Sequence, residues 1–477
     1  MTYSRIVAFD SQMPDFTLHT ASLDGIKAYN YRKKGLVTFD GKAPEESDAD
    51  VGRSNIIETT GIETRRIAQP GQHSNHLAAT AALKTLLKAS VHPSELGVII
   101  VATNTPNKEY MDRVVKQTKT RDDYRSHLQY NDSLVQEVRS MADNPSDLET
   151  IIVASTTSQW KFPSEACYVQ QKINALNIRH AFDINADFET ATEVAELLGG
   201  KHLVLDNRKY ASDKAESAAE FVLKCTGEKN IPAFDIALGC AGFLEGLAIA
   251  DKFVRKHKKY ALVAAAETLS KVVEYGTTLK GIHPNWEYFR KGVEEGDIIL
   301  TLFGDGAGAM LLGPSDRQEG ILRTYARSDP FGESNTDTFK TNLFLIYQDE
   351  HGLARMPYGQ QVFRAAVNAM TETAIALLDN KSYNDWLNIM PEDISCLIPH
   401  QANIRIIKAA GQEIQSKAGI PIKKVYVNVA EYGNTSAVTG IRALHDAYNK
   451  EIIRKGDLIM MVTFATGLNW NGAIAML

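Results

Sequence analysis

Short apolar segments alternate along most of the chain with longer segments whose apolar residues recur at helical spacing. Gly97–Thr103 and Tyr260–Ala266 are nearly continuous apolar runs, which are typical of strands that are buried on both faces. His76–Leu87, with Ser74 as its expected N-cap, and Val362–Leu378 have the apolar spacing of helices. This alternation predicts an α/β fold in which helices cover the sheets. Further strands are predicted at Ser4–Asp10, Ile151–Ser155, Ala233–Leu238, Ile394–Ile398, Val425–Val429 and Leu458–Thr463.

Two pairs of segments echo each other at the same offset. Ile151–Ser155 nearly repeats Ile99–Thr103, and Ala181–Ile184 has the same AFDI sequence as Ala233–Ile236; each pair is 52 positions apart. A tandem duplication would produce this pattern, and so would chance similarity between buried strands of one sheet. The sequence leaves both interpretations open.

The composition is that of a soluble globular protein, with 44% hydrophobic and 23% charged residues in 477. The net charge of −6 gives no reason to expect nucleic acid or an anionic membrane as a partner. The four cysteines, Cys167, Cys225, Cys240 and Cys396, are too few and too scattered for a disulfide framework or a zinc site. With no recognisable signal peptide or apolar run long enough to span a bilayer, we expect a cytoplasmic protein.

Cys240 lies where a predicted buried strand turns sharply into a predicted helix, Phe243–Phe253. The unpaired N–H groups and the positive end of the helix dipole at such a turn favour thiolate over thiol, so the position suits a nucleophile. A structural cysteine that packs as a small hydrophobe is the alternative. The AFDI copy at 181–184 offers no such sulfur, because Phe188 occupies the matching position.

His400 and Asn434 each follow another predicted buried strand, Ile394–Ile398 and Val425–Val429. Active sites collect at such strand ends in open α/β sheets. A histidine can exchange a proton with a thiol near neutral pH, and an asparagine amide can donate a hydrogen bond to a carbonyl or enolate oxygen. A structural histidine, and an asparagine that serves a turn after Gly433, are the alternatives.

Seven short segments together resemble the thiolase-superfamily condensing enzymes, specifically β-ketoacyl-acyl-carrier-protein synthase III. They occur in the order of that family and reach the last residues of the chain. The segments are Phe162–Cys167, Ala233–Phe243, Phe303–Ala309, Val362–Phe363, Pro399–Arg405, Gly433–Ala437 and Phe464–Ala473.

The resemblance implies a five-layered α/β/α/β/α fold of two pseudo-repeated halves, working as a homodimer. The N-terminal half, 1–315, would carry the nucleophile, and the C-terminal half, 316–477, would carry the histidine and the asparagine. The chain is longer than is usual in the family, and we expect insertions near 107–149, 182–230 and 277–296. The second of these separates Phe162 from the nucleophile strand, so the acyl pocket could differ from that of the family.

The resemblance also implies a mechanism. Cys240 would take the acyl group as a thioester, and His400 and Asn434 would bind the carbonyl of an extender unit and stabilise the enolate formed on decarboxylation. The backbone N–H of Cys240 and that of Thr466 would form the oxyanion hole. The substrates would be acyl thioesters of coenzyme A or of an acyl carrier protein, with no metal or redox cofactor.

Other positions bear on the substrate and its carrier. The resemblance implies Phe162 as a candidate wall of the acyl pocket and Asn403 and Arg405 as candidate substrate or carrier contacts; a core aromatic and a solvated surface charge are the alternatives for Phe162 and Arg405. Asn55 and Thr59 stand where the family commonly stacks the coenzyme A adenine between a tryptophan and an arginine. Loss of both contacts favours a carrier-bound donor, or a coenzyme A that is held differently.

Related chemistries fit less well. Degradative thiolases use a second cysteine as a base, but Cys396 reads as a core residue. Gly304–Gly308 lacks the spacing of a phosphate-binding loop, so a packing role is expected. The order Cys, His, Asn also occurs in papain-like hydrolases, whose nucleophile motif is missing around Cys240. We therefore expect decarboxylative Claisen condensation with a malonyl-type or β-ketoacyl thioester. The alternatives are acyl transfer without decarboxylation and a non-catalytic partner subunit.

Overall fold

The computed structural model describes residues 2–20, 57, 60–69, 71–105, 148–154, 170, 178–206, 217–272, 302–329, 347–348, 354–355, 359–383, 387–465 and 467–477. The expected insertions at 107–149 and 277–296 lie almost entirely outside these ranges, whereas most of 182–230 lies within them.

The strands and helices of the described ranges alternate along much of the chain, as predicted. The strands are β1 (Tyr3–Gln12), β2 (Phe16–His19), β3 (Thr64–Ile67), β4 (Leu96–Ala102), β5 (Thr150–Ala154), β6 (His180–Asn185), β7 (His202–Asp206), β8 (Ala233–Ala237), β9 (Tyr260–Glu267), β10 (Gly306–Ser315), β11 (Gly320–Ser328), β12 (Tyr347–Gln348), β13 (Ala354–Arg355), β14 (Ile394–Pro399), β15 (Leu458–Ala465) and β16 (Asn469–Met476). The α-helices are α1 (Ser74–Ala89), α2 (Phe188–Leu198), α3 (Ala218–Thr226), α4 (Gly242–His257), α5 (Leu269–Val272), α6 (Gly359–Leu378), α7 (Ile404–Ala418), α8 (Val429–Tyr432) and α9 (Thr439–Asn449).

Two larger sheets organise these elements. The first sheet has the strand order β1-β10-β9-β4-β8-β6-β5-β7, and the second has the order β11-β16-β15-β14. The first sheet thus uses strands up to Ser315, and the second begins at Gly320. Each sheet mixes parallel and antiparallel pairs; β4 runs parallel to both β8 and β9, and β14 runs parallel to β15.

Helices cover both faces of each sheet, which explains the continuous apolar strands. Along β4, Ile99 and Val101 face one core cluster, with α1 and α3, while Ile100 and Ala102 face the other, with α4 and α9. On the far side of α4 and α9 lies the second sheet, whose outer face packs against α6 and α7. The layers are therefore α1/α3, sheet, α4/α9, sheet and α6/α7. The predicted five-layered α/β/α/β/α fold is confirmed.

The two sequence echoes are structurally equivalent. Ile99 pairs with Ala233 in β4–β8, and Ile151 pairs with Ala181 in β5–β6, so both copies share one parallel register. The two AFDI strands, β6 and β8, then pair antiparallel with each other around Ile184, which lies opposite Ile236. The β5–β6 pair thus covers the edge of β8 with a local two-fold relationship, which favours the interpretation as a tandem duplication.

The copy also repeats the connection from strand to helix. The helix α2 follows β6 as α4 follows β8, and Phe188 is the first residue of α2. Phe188 is 44% exposed, so it does not belong to the core. The AFDI strand β6 therefore leads into a helix without a nucleophile, as the sequence predicts.

Two local predictions are wrong. The N-cap of α1 is His73 rather than Ser74, whose hydroxyl instead bonds the Thr105 Oγ1 at 2.7 Å. Val425–Val429 is not a strand: Val425 makes one isolated bridge to Leu397. The next ladder position is lost because the N–H of Asn428 donates to the side chain of Gln401, and the short helix α8 follows.

Candidate active site

The turn that carries Cys240 is held from the opposite sheet. Gly239–Ala241 forms one turn of 3₁₀-helix between β8 and α4. The Thr463 Oγ1 donates to the carbonyl of Cys240 at 3.3 Å, and the Asn471 Nδ2 donates to that of Ala241 at 3.1 Å. Both donors lie in the hairpin β15–β16, so residues from the second sheet fix the nucleophile turn of the first.

His400 follows the last residue of β14, as predicted. Its backbone N–H donates to the Val462 carbonyl at 2.8 Å, and its ring meets the Phe464 ring edge to face. The imidazole is buried, and within the described part of the chain its Nδ1 has no hydrogen-bond partner. A buried nitrogen of this kind is a group that a substrate could satisfy.

Asn434 follows the helix α8 rather than a strand. Its N–H donates to the Leu302 carbonyl at 2.8 Å, and its own carbonyl accepts from the Gly304 N–H at 2.9 Å. The Ser436 N–H donates to the Asn434 Oδ1 at 2.9 Å. Because this bond occupies the amide oxygen, the Nδ2 hydrogens remain as the donor side of the amide.

A small cavity and one serine connect the three predicted catalytic residues. Cys240 and His400 both line the cavity, whose other walls are mostly apolar: Phe243, Leu244, Ile398, Ala437, Gly440, Met461, Val462 and Thr463. Asn434 does not line this cavity, but it is joined to the sulfur through Ser436. The Cys240 thiol donates to the Ser436 Oγ at 3.7 Å, and the N–H of the same serine holds the Asn434 amide.

Loss of solvent around the sulfur opposes the expected activation of the thiol. The pKa of Cys240 is raised from 9.0 to about 12, chiefly by loss of solvent around the sulfur, with a further increase from the negative charge of Glu267. A helix N-terminus is worth about 0.3–2 kcal/mol, whereas a rise of this size corresponds to about 4 kcal/mol. Cys240 is therefore a neutral thiol near pH 7 and needs a proton acceptor when it attacks.

Burial also corrects the expected role of His400. Loss of solvent lowers the pKa of the imidazole to about 3, so the ring stays neutral across the physiological range. The ordinary pKa of histidine suggests proton exchange with the thiol near neutral pH. With its lowered pKa, the His400 ring is a poor proton acceptor for the thiol. A neutral imidazole can still donate a hydrogen bond to a carbonyl or enolate oxygen.

The sequence prediction missed a fourth polar residue beside the sulfur. Glu267 ends the buried strand β9 and is fully buried. Its carboxylate accepts hydrogen bonds from the Asn104 Nδ2 at 2.6 Å, the Thr105 Oγ1 at 2.8 Å and the Ser436 Oγ at 3.3 Å. Burial raises the pKa of Glu267 to about 7. An acidic residue at the end of a wholly apolar strand is the signal that could have identified it.

The remaining predicted site residues are placed unevenly. Asn403 is the N-cap of α7, and its side-chain oxygen accepts from the Ile406 N–H at 2.9 Å. Arg405 lies partly exposed in the first turn of the same helix. Cys396 is buried in β14, which confirms it as a core residue. Four predicted positions lie outside the described residues: Asn55, Thr59, Phe162 and Thr466.

The glycines of Gly304–Gly308 have a packing role, as predicted. A Cβ on Gly304 would meet the Tyr432 carbonyl oxygen at 2.4 Å, and a Cβ on Gly308 would meet the Ile441 side chain at 2.5 Å. These glycines allow the start of β10 to lie directly against α8 and α9. The segment that carries Asn434 is thereby held close to the first sheet.

Comparison with known proteins decides the family. The family model described as 3-oxoacyl-[acyl-carrier-protein] synthase III matches residues 234–283, and the model of its C-terminal part matches residues 386–477. A β-ketoacyl-[acyl-carrier-protein] synthase III of Caldanaerobacter subterraneus subsp. tengcongensis is 30% identical over 456 residues, 93% of each protein. The chain belongs to the β-ketoacyl-[acyl-carrier-protein] synthase III family. The resemblance inferred from the motifs is confirmed, and the protein is a ketosynthase III-like acyltransferase.

Further relatives agree with this assignment. The synthase III of Clostridioides difficile is 30% identical over 464 residues, which are 93% of this chain and 98% of that one. The crystal structure of the Aquifex aeolicus synthase III superposes with a TM-score of 0.55 at 26% identity, over 99% of this chain and 100% of that one. No helix in the described ranges is both long and apolar enough to cross a membrane.

Proposed function

We propose that Cys240 accepts an acyl group from a thioester and that the acyl-enzyme then undergoes decarboxylative Claisen condensation with a malonyl-type thioester. The thiol attacks the carbonyl carbon of the donor, the new S–C bond forms, and the thiol of the donor leaves with the proton. Loss of carbon dioxide from the extender gives an enolate, which attacks the acyl carbon and expels the Cys240 thiolate. A proton from the solvent then restores the Cys240 thiol.

The observation that carries this proposal is the charge state of the site. His400 is a neutral imidazole whose buried Nδ1 has no partner among the described residues, and the Asn434 amide has its oxygen occupied, so both groups can act as neutral donors. A developing enolate concentrates negative charge on one oxygen, and a preorganised neutral donor to such an oxygen is worth about 3–4 kcal/mol. A hydrolase would instead need a histidine that charges near neutral pH.

The apolar cavity supports an acyl substrate. Its walls beyond Cys240 include Phe243, Leu244, Ile398 and Met461, which suit a hydrocarbon chain rather than a polar group. We propose the backbone N–H groups of Cys240 and Thr466 as the oxyanion hole, and Phe162, Asn403 and Arg405 as contacts of the acyl chain or its carrier. For Asn403 the cap leaves the Nδ2 for that contact.

Further parts of the proposal concern the protein as a whole. Its relatives are named for an acyl carrier protein, and we propose such a carrier as the partner of this chain. We also propose a cytoplasmic homodimer without a further cofactor, with halves at 1–315 and 316–477. The sheet change between Ser315 and Gly320 supports this division.

Mass spectrometry of the intact protein tests the proposal. Incubation with a panel of acyl-coenzyme A and acyl-carrier donors should add one acyl group, and peptide mapping should locate it on Cys240. Subsequent addition of malonyl-carrier should release carbon dioxide. An adduct that persists in Cys240→Ala would refute the nucleophile, and an adduct that leaves without carbon dioxide release would favour simple acyl transfer.

A further inference from the structure

A chain of hydrogen bonds leads from the nucleophile into the protein. The Cys240 thiol donates to the Ser436 Oγ at 3.7 Å, and the Ser436 hydroxyl donates to the Glu267 Oε1 at 3.3 Å. Both bonds run in the same direction, from sulfur to carboxylate. Both hydrogen bonds of the Ser436 Oγ therefore have the donor-to-acceptor direction that proton transfer away from the thiol requires.

The surroundings of Glu267 leave it free to take up a proton. Its described partners Asn104, Thr105 and Ser436 are neutral. Among the described residues, the titratable group coupled to it is Cys240, which lines the same cavity as His400. Within the described part of the chain no cation contacts the carboxylate, and desolvation is the main cause of its raised pKa. A buried carboxylate without a neutralising charge gains stability when it is protonated.

We propose that Glu267 accepts the proton of the Cys240 thiol through the hydroxyl of Ser436 during acylation. As the sulfur attacks, its proton passes to the Ser436 oxygen and the serine proton passes to the Glu267 Oε1. The S–C bond to the acyl carbon forms, the bond to the sulfur of the donor breaks, and the reverse relay returns a proton to the departing thiolate. This inference rests on the proposed function, since it assigns the proton of the acylation step.

His400 fits this role less well. An imidazole with a pKa of about 3 is a weak base toward a thiol, whereas a carboxylate with a pKa of about 7 is closer to the optimum for proton transfer at neutral pH. The relay also explains why Ser436 is held so firmly: its N–H bonds Asn434 while its hydroxyl joins the sulfur and the carboxylate.

The rate of alkylation of Cys240 by iodoacetamide tests the relay independently of the acyl donor. Mass spectrometry should follow the peptide that contains Cys240, because Cys225 is exposed and will also react. We expect Glu267→Gln to slow alkylation of Cys240 about 100-fold at pH 8. A role as a nearby charge alone predicts the opposite, since the Glu267 carboxylate raises the pKa of Cys240 and its removal would speed alkylation.

The dependence on pH supplies a second readout. Because the Glu267 pKa is about 7, the wild-type rate should rise as the pH passes through 7 and the carboxylate ionises. This rise should be lost in Glu267→Gln and retained, at a lower rate, in Glu267→Asp. With an acyl donor in place of iodoacetamide, the saturating acylation rate should fall in Glu267→Gln while the half-saturating concentration stays the same.

Two further variants separate the relay from a structural effect. Ser436→Ala should also slow alkylation. The double variant with Glu267→Gln should be no slower than the slower of the two single variants, because both residues act in one path.

Glu245→Gln is the matched control: Glu245 is equally buried near the turn but bonds Asn471 and His180 rather than the serine. It should keep the rise through pH 7. The relay would be overturned if Cys240 in Glu267→Gln or Ser436→Ala were alkylated at the wild-type rate or faster. If the wild-type protein showed the predicted alkylation behaviour but no acyl donor acylated Cys240, only the proposed function would be refuted.

Discussion

The backbone N–H of Ser436 donates to the Oδ1 of Asn434 at 2.9 Å and thereby fixes the orientation of the amide. Of the two ends of a side-chain amide only the oxygen can accept a hydrogen bond, so this bond leaves the Nδ2 hydrogens for a substrate. Ser436 therefore has two roles: its backbone N–H orients the Asn434 amide, and its hydroxyl accepts the hydrogen bond of the Cys240 thiol.

Asn434→Asp should separate the two half-reactions. The carboxylate keeps the acceptor for the Ser436 N–H but has no hydrogen to donate to an enolate, so decarboxylation of malonyl-carrier should fall by about 100-fold or more. Acylation of Cys240 should change much less. Carbon dioxide release and the mass of the acyl-enzyme give the two rates, and an equal loss in both would contradict the assigned role.

His400 should stay neutral at every pH at which the enzyme works. Its pKa is lowered by burial, so protonation is expected only near pH 3, well below the ordinary value. In ¹⁵N spectra of histidine-labelled protein, the signals that disappear in His400→Gln should keep the shifts of a neutral ring from pH 8 to pH 5. A change of those signals with a midpoint near pH 6.5 would show that the ring is solvated.

The low pKa of His400 also predicts a contribution to stability. At pH values between about 3 and 6.5 the unfolded chain binds the proton that the folded ring excludes, so stability is lost as the pH falls from 6.5 toward 3. His400→Gln should reduce this loss. The measurement is the urea midpoint of wild type and variant at pH 7 and pH 5; equal decreases in both proteins would contradict the prediction.

Much of the fold and the site could be predicted from the sequence because their signals are local. The apolar run at Gly97–Thr103 and the turn at Cys240 have nearly the predicted structure. Glu267 and Ser436 are 169 positions apart, so no local pattern reveals their contact. The pKa values depend on how completely each group loses solvent, which is set by packing between the two sheets.

The predicted strand at Val425–Val429 shows a second limit. Its composition favours a strand, but ladder formation depends on whether neighbouring backbone groups are available. The N–H of Asn428 donates to the Gln401 side chain instead, and local strand propensity cannot predict this tertiary interaction.

The pairing of the two AFDI strands can be tested with a disulfide. Asp183 lies directly opposite Ala237 in the antiparallel pair β6–β8, at a separation suited to a cross-strand bond. The double variant Asp183→Cys/Ala237→Cys should form a bond within one chain after oxidation, with the mass of a monomer under denaturing conditions. The two single variants are the controls. A bond that joins two chains would show that β8 pairs with another copy instead.

The close contact at Gly308 predicts a cost for any larger residue. Gly308→Ala should lower the free energy of unfolding by about 1–3 kcal/mol, because its Cβ would overlap the Ile441 side chain. Adding Ile441→Ala should cost less than the sum of the two single changes, since the overlap is then relieved. Gly440→Ala is the control, because its Cβ would have no neighbour closer than 4.0 Å. Urea denaturation measures all four proteins, and strict additivity would contradict the contact.

The most direct test of the proposed condensation is a single turnover of the isolated acyl-Cys240 enzyme with malonyl-carrier labelled with ¹³C in its free carboxyl group. The account predicts that the acyl adduct disappears as labelled carbon dioxide appears, in equal amounts, and that the product is a β-ketoacyl-carrier without the label. Transfer of the acyl group to an acceptor that keeps the labelled carboxyl would contradict it.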